Sequence, residues 1–138
     1  MYGKPQLAAQ HAVHFNVAHS HGLWMAAISR RTPIGIDVEQ IRDDIPFDAL
    51  ARRFFQPDKE WAAAPNLGAV SFFRFWTRRE ALLKAHGLTV FSSQDELLRQ
   101  KKWSITSFAP YPGFQAALAL RVASALQEDT GTRTLQTC

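Results

Sequence analysis

The feature that most constrains the fold is a long helical pattern from Leu67 to His86, with strand-like segments on both sides. Its apolar residues recur at helical spacing, and Gly87 follows as a C-terminal stop. Strands are predicted at 14–18, 23–29, 34–39, 103–108 and 113–122, and short helices at 48–55 and 58–64. The order predicts an α+β fold in which an antiparallel sheet packs on one long helix, with short helices beside it.

Turn signals between the first three strands indicate how they connect. The polar residues His19 to Gly22 are typical of a turn that ends the first strand. Arg30 to Pro33 also has turn chemistry, so the strands at 23–29 and 34–39 are expected to form a hairpin. The apolar run from Leu23 to Ser29 suits a buried strand.

Length and composition bound the organisation and the location. The 138 residues, of which 46% are hydrophobic, suit a single domain at 1–123, and the polar residues 124–138 are expected to form a flexible tail. No apolar run approaches the ~18 residues that cross a bilayer, so no membrane partner is expected. The N-terminus has no signal-like apolar segment and the one cysteine is Cys138, which favours a cytoplasmic protein without disulfides.

The charge balance favours acidic partners. The formal net charge is +4 and the sequence pI is about 9.6. The basic residues form scattered pairs, and no basic stripe with interleaved aromatics or nucleic-acid reader motif is present, so nucleic acid is not the expected partner. The aromatic residues from Phe72 to Trp76 are expected to pack in the core.

Two carboxylates share one face of the predicted strand at 34–39. Ile34, Ile36 and Val38 alternate with Gly35, Asp37 and Glu39, so both acidic side chains leave the same side. Adjacent anions raise each other's pKa unless a positive group lies between them, and Mg²⁺ typically binds one or two carboxylates plus phosphates and water. The alternative is an exposed strand face, where both groups are hydrated or paired with arginine.

Glu80 and Lys84 lie one turn apart on the predicted long helix. Taken alone, this spacing is typical of a surface salt bridge, worth about 0.3–0.5 kcal/mol. The residues alone do not assign a role to His19, because it could be a metal ligand, a phosphate donor or a turn residue.

The order of the motifs resembles that of the Sfp-type 4′-phosphopantetheinyl transferases. Any one segment is common, but together and in order they cover residues 3–119. The segments are Gly3-Lys4-Pro5, Phe15-Asn16-Val17-Ala18-His19-Ser20, Pro33-Ile34-Gly35-Ile36-Asp37-Val38-Glu39, Phe54-Phe55, the run from Phe75-Trp76-Thr77-Arg78-Arg79-Glu80 to Lys84-Ala85-His86-Gly87, and the closing strand from Pro110 to Ala119.

The resemblance implies an enzyme that moves the 4′-phosphopantetheine arm of coenzyme A to a serine of an acidic acyl or peptidyl carrier protein, releasing adenosine 3′,5′-bisphosphate. Asp37, Glu39 and Glu80 match the family's acidic positions and would hold Mg²⁺, with Mn²⁺ as an alternative. Glu80 would accept the serine proton, and Lys84 would stabilise charge on the phosphates.

The resemblance also implies contacts to coenzyme A. His19 and Ser20 match the family's pair near the 3′-phosphate, and Lys4 is a further expected phosphate contact. Two positions depart from the family pattern. Ala18 replaces a serine, and Arg79 replaces a lysine at a position expected to contact the cofactor, which keeps the charge and changes its geometry.

Sfp-type enzymes have two similar halves with coenzyme A between them, and this sequence resembles the second half. Much of the basic coenzyme-binding surface is therefore expected to be absent. A homo-oligomer could complete the cleft, as in the short, trimeric holo-acyl-carrier-protein synthases. The alternative is a non-catalytic remnant that binds coenzyme A or a carrier protein without turnover.

Overall fold

The computed structural model describes residues 13–54, 68–88 and 102–122. These ranges contain β1 (His14–Ser20), β2 (Leu23–Ser29), β3 (Ile34–Gln40), α1 (Phe47–Phe54), α2 (Ala69–His86), β4 (Trp103–Phe108) and β5 (Phe114–Arg121). The predicted α+β fold, with antiparallel strands on one long helix, is confirmed. The predicted helix at 58–64, Lys4 and the tail at 124–138 lie outside the described residues.

The strands form two hydrogen-bonded groups. β5 lies in the centre of a three-stranded antiparallel sheet, between β3 and β4, and β1 pairs with β2 in a separate hairpin. The predicted hairpin between 23–29 and 34–39 is therefore wrong. The tight turn is instead His21-Gly22, where both residues have positive φ (43° and 82°), as a two-residue hairpin turn requires. Consequently His19 and Ser20 belong to β1 rather than to a turn.

β1 lies along the free edge of β3 and is joined to it by side chains. The buried Oδ1 of Asn16 accepts a hydrogen bond from Ile36 N at 2.8 Å, and Ser20 Oγ accepts one from Gln40 N at 3.1 Å. Both bonds join residues 20 positions apart, so β1 and β3 run in the same direction. Side-chain acceptors thus satisfy backbone donors that an edge strand would otherwise leave unpaired.

Replacing Asn16 with leucine is expected to destabilise the protein by about 1–3 kcal/mol, because the buried Ile36 N–H would lose its acceptor. The free energy of unfolding from urea denaturation measures this loss. Val17→Ala is the matched control, since its side chain is exposed on the other face of β1. Equal stability of the two variants would show that the Asn16 bond contributes nothing.

α2 packs on one face of the three-stranded sheet, and small residues allow the close approach. Ala81 and Ala85 of the helix meet Gly35 of β3 and Ala117 and Ala119 of β5. A Cβ on Gly35 would collide with the carbonyl oxygen of Ala81 and would lie 2.6 Å from Ala85 N. The second face of β3 is therefore buried under a helix, which excludes the hydrated strand face considered as an alternative.

The other apolar clusters complete the core. Ile34, Ile36 and Val38 point away from α2 and pack with Ala18, Ala27 and Ala116 from the neighbouring strands. Towards its N-terminus α2 packs on α1 through aromatic rings. This aromatic cluster includes Phe47, Phe54, Phe72, Phe73 and Trp76, with Phe72 and Phe73 fully buried, which confirms that these rings are core residues.

β2 is only half-buried, so the prediction of a buried strand is wrong. Trp24 and Ile28 are 67% and 70% exposed, whereas Ala27 on the opposite side is buried. The reason is that the hairpin packs through one face, and within residues 13–54, 68–88 and 102–122 no helix covers the other. No described helix has the length and apolar character needed to cross a membrane.

Candidate functional site

Asp37 lies between β3 and α2 and is the most deeply buried carboxylate of the predicted site. Its residue is 6% exposed, and its Oδ1 accepts a hydrogen bond from Lys84 Nζ at 2.7 Å. Lys84 Nζ also donates to Ile36 O at 3.2 Å, so the lysine joins α2 to β3. Burial raises the pKa of Asp37 from 3.8 to about 7 despite the favourable charge of Lys84, and Glu39 and Glu80 raise it further.

Glu80 lies one turn before Lys84 on the same face of α2. Burial raises the pKa of its carboxyl group, while the charges of Lys84 and Arg79 oppose the rise. Repulsion from Glu39 adds to it. The three carboxylates that the sequence suggested therefore lie close enough to shift one another's pKa values. The positive charges beside them are those of Lys84 and Arg79 on α2.

Glu39 lies at the end of β3 and is bound by a residue of β1. Ser20 Oγ donates to Glu39 Oε2 at 3.1 Å and accepts from Gln40 N, so its hydroxyl is already engaged within the protein. Ser20 Oγ also lies 3.2 Å from Nδ1 of His21. Ser20 is buried, and here it connects β1 to the carboxylate group rather than presenting a free hydroxyl.

Two buried carboxylate oxygens fit a divalent cation. Asp37 Oδ2 and Glu80 Oε1 have no hydrogen-bond partner among the described residues. A buried carboxylate oxygen without a partner is costly, and hard oxygen donors are the ligands that Mg²⁺ prefers. No group of three or more carboxylate, imidazole or thiol side chains is assembled for a metal in the described ranges. The donor set therefore fits an ion such as Mg²⁺, which takes one or two carboxylates and completes its shell with phosphate and water.

His19 lies on the exposed face of β1, opposite to Ser20. Alternate residues of β1 (Asn16, Ala18 and Ser20) are buried, and Ser20 is the one that contacts Glu39. The His19 side chain is exposed and stacks on Trp24, with ring centroids 4.4 Å apart. The sequence analysis did not single out Trp24, which there was one residue of the apolar run from Leu23 to Ser29.

Arg79 lies beside the site, on the helix turn that carries Glu80. Its guanidinium is 6.0 Å from the centroid of the Phe54 ring, and its charge lowers the pKa of Glu80. Of the predicted site residues, the structure thus brings together Asp37, Glu39, Glu80 and Lys84, with Ser20 joined to Glu39. Lys4 lies outside the described residues.

Stability of the metal-free protein is expected to fall as pH rises from about 4 to about 7. In this range the unfolded chain has lost the Asp37 proton, whereas the folded protein still holds it because the folded pKa is raised to about 7. Glu80 acts in the same direction. Thermal unfolding in chelator at pH 5.5 and pH 8 measures the difference, and Asp37→Asn should reduce it. A melting temperature that does not fall between these pH values, or that falls equally in the variant, would contradict the finding that burial of Asp37 outweighs its pairing with Lys84.

The chain is similar in sequence to known proteins. A family model described as the 4′-phosphopantetheinyl transferase superfamily matches residues 33–111, which is more than half of the chain and includes Asp37, Glu39, Glu80 and Lys84. The 4′-phosphopantetheinyl transferase HetI of Nostoc sp. is 32% identical over 136 residues, covering 86% of this chain and 57% of the relative.

Two further relatives are matched over shorter stretches. The 4′-phosphopantetheinyl transferase of Bacillus subtilis is 35% identical over 89 residues, covering 62% of this chain and 38% of the relative. The 4′-phosphopantetheinyl transferase gsp of Aneurinibacillus migulanus is 39% identical over 90 residues, covering 62% and 35%. The chain spans between 35% and 57% of the length of these three relatives. On the family match and these similarities, the chain belongs to the 4′-phosphopantetheinyl transferase superfamily.

Proposed function

We propose that this chain transfers the 4′-phosphopantetheine arm of coenzyme A to a serine of an acidic apo carrier protein. The reaction releases adenosine 3′,5′-bisphosphate and depends on Mg²⁺, with Mn²⁺ as a possible substitute. The observation that carries the proposal is a pair of buried oxygens, one from Asp37 and one from Glu80, that have no hydrogen-bond partner within the described ranges, with Lys84 bonded to Asp37. Membership of the superfamily supports the same chemistry.

The carboxylates serve the pyrophosphate end of the substrate. Asp37 and Glu80 would hold the cation, with Glu39 as a further proposed ligand, and the bound ion would supply positive charge to neutralise the coenzyme A pyrophosphate. Lys84 fixes the Asp37 carboxylate through Oδ1 and leaves Oδ2 for the ion. Its ammonium also adds positive charge close to the transferred phosphoryl group.

Glu80 would act as the general base. The serine hydroxyl gives its proton to Glu80, directly or through a water, as its oxygen forms the new bond to phosphorus. The bond between that phosphorus and the bridging oxygen of the pyrophosphate breaks, and adenosine 3′,5′-bisphosphate leaves with the electron pair.

The nucleotide end would lie along β1 and the start of the chain. His19 would contact the 3′-phosphate, with Lys4 and Arg79 as further cationic contacts. Ser20 is proposed to act mainly through its bond to Glu39, since its hydroxyl is engaged there and at Gln40 N. The net charge of +4 supports binding of both the anionic coenzyme and an acidic carrier.

The proposal extends to the domain bounds, the location and the oligomeric state of the protein. We place the domain at 1–123, with a flexible tail at 124–138, in a cytoplasmic protein that binds neither nucleic acid nor membrane. The chain spans at most 57% of the relatives described above, and the exposed apolar side chains of β2 support a homo-oligomer that completes the cleft.

Mass spectrometry of the carrier protein tests the proposal. The chain is incubated with coenzyme A, Mg²⁺ and each of several apo carriers, and the expected result is a gain of the phosphopantetheine mass. The control replaces the carrier serine with alanine. Calorimetric binding of coenzyme A without any mass gain over a range of protein concentrations would favour the non-catalytic binding protein instead.

A further inference from the structure

The strand β2 has a free edge and lacks the features that normally protect one. It pairs with β1 on one side, and no other strand in the described ranges pairs with it. Natural proteins protect such edges with charged side chains, proline, bulges or short strands. β2 is seven residues long, contains no charged residue, proline or glycine, and pairs with β1 residue by residue without a bulge. An edge of this kind is suited to pair with another strand.

The backbone groups at this edge belong to Trp24, Ala26 and Ile28. The two-residue turn between β1 and β2 closes on a hydrogen-bonded pair, and bonded and non-bonded pairs then alternate along an antiparallel ladder. The N–H and C=O groups of every second residue, starting at Trp24, therefore point away from β1. The side chains of the same three residues lie on the outer face of the hairpin and are exposed, Trp24 to 67% and Ile28 to 70%.

The edge is self-complementary about Ala26. When two copies of β2 pair antiparallel with their Ala26 residues opposite each other, Trp24 of each copy lies opposite Ile28 of the other. Directly opposite side chains in a sheet pack together, so both large exposed residues gain an apolar neighbour, and the small alanine lies at the axis. The same register joins the outward N–H and C=O groups of all three residues. A two-fold axis requires a patch that matches itself in this way.

We propose that two copies of this chain associate through β2, which pairs antiparallel with β2 of the second copy about a two-fold axis at Ala26. The two hairpins then form one continuous antiparallel sheet. The inference rests on the proposed function for the need of a homo-oligomer, and it assigns the interface of that oligomer. One strand pair is a small interface, so a dissociation constant on the order of 10–100 μM is expected.

Sedimentation of the full chain at concentrations from about 1 to about 300 μM measures the association. The average mass should rise from that of one chain towards that of two. Ile28→Lys should raise the dissociation constant at least about 10-fold, because it places a charge at the edge beside Trp24 of the second copy. Val70→Lys is the matched control, since it changes a 58% exposed apolar residue of α2 and should leave the association unchanged. Circular dichroism should show that both variants keep the fold.

Disulfide formation tests the register of the two strands. In a Cys138→Ser background, Ala26→Cys places two thiols across the axis, where paired strands bring Cα atoms to about 4.5–5.5 Å. A covalent dimer is therefore expected on mild oxidation. Val17→Cys is the control, because Val17 is the exposed register partner of Ala26 in β1. Three strand spacings, about 14 Å, separate its two copies, which is too far for a disulfide.

These measurements need no substrate, so they separate the inference from the proposed function. A chain that stays monomeric, association that Ile28→Lys leaves unchanged, or equal cross-linking of Val17→Cys and Ala26→Cys would overturn the interface. Carrier modification by a strictly monomeric chain would overturn the inference alone. A dimer that cross-links at Ala26→Cys but modifies no carrier would leave the inference standing and overturn the transferase.

Discussion

Replacing Gly35 with alanine is expected to destabilise the protein by about 3 kcal/mol or more. The added Cβ would overlap the carbonyl oxygen of Ala81 and approach Ala85 N to 2.6 Å. Both atoms belong to the backbone of α2, so no side-chain rotation can relieve the contact and the helix must move away from β3. A loss of this size is a large part of the 5–15 kcal/mol that stabilises a typical domain.

The displacement of α2 should also damage the site, because Lys84 reaches Asp37 and Ile36 O only while the helix lies on β3. Urea denaturation gives the free energy of unfolding of Gly35→Ala. Gly68→Ala is the matched control, since a Cβ there meets nothing within 4 Å and φ is −72°. Stability of Gly35→Ala within about 1 kcal/mol of the control would contradict the close packing of α2 on β3.

Asp37→Asn and Glu80→Gln are each expected to lower the rate of carrier modification by a factor of about 1,000 or more. Each change removes a negative charge from the proposed cation site, and Glu80→Gln also removes the proposed base. The fold should survive, because burying both carboxylates in their charged form destabilises the folded protein, as their raised pKa values show. Loss of activity with intact structure distinguishes a functional carboxylate from a structural one.

Although Asp37→Asn is expected to lower activity, it should increase the free energy of unfolding. The difference between 3.8 and about 7 corresponds to a penalty on the order of 4 kcal/mol above pH 7. Asparagine removes this penalty but leaves Lys84 without its counter-ion, so a net gain of about 1–3 kcal/mol is expected in metal-free buffer at pH 8. Asp44→Asn is the control, because this carboxylate is 77% exposed and pairs with Arg42 at the surface. A destabilised Asp37→Asn, or an inactive Asp44→Asn, would contradict this account of the site.

The local patterns of the sequence predicted the elements well. β4 has the predicted bounds, and α2 and β5 differ from prediction by only one or two residues at their ends. Period-two alternation also placed Asp37 and Glu39 on one face of β3, as the structure has them. These features depend on neighbours in the chain, so the residues of one segment suffice to predict them.

Contacts between segments were harder to predict. The spacing of Glu80 and Lys84 suggested a local helix pair, whereas Lys84 bonds to Asp37 across 47 residues. The hairpin was assigned to β2 and β3 because Arg30 to Pro33 resembles a turn, yet positive φ at His21 and Gly22 joins β1 to β2. Gly35 did carry a signal, since a glycine within a strand indicates a close backbone approach, but only the fold identifies α2 as the partner.

The most direct test of the central claim, that Asp37 and Glu80 share a divalent cation, is calorimetric titration of Mg²⁺ into chelator-treated protein with coenzyme A present. The wild type and Asp44→Asn should bind the ion, and Asp37→Asn and Glu80→Gln should lose at least about 10-fold in affinity. Unchanged Mg²⁺ affinity in both site variants, or no binding by the wild type, would contradict the claim.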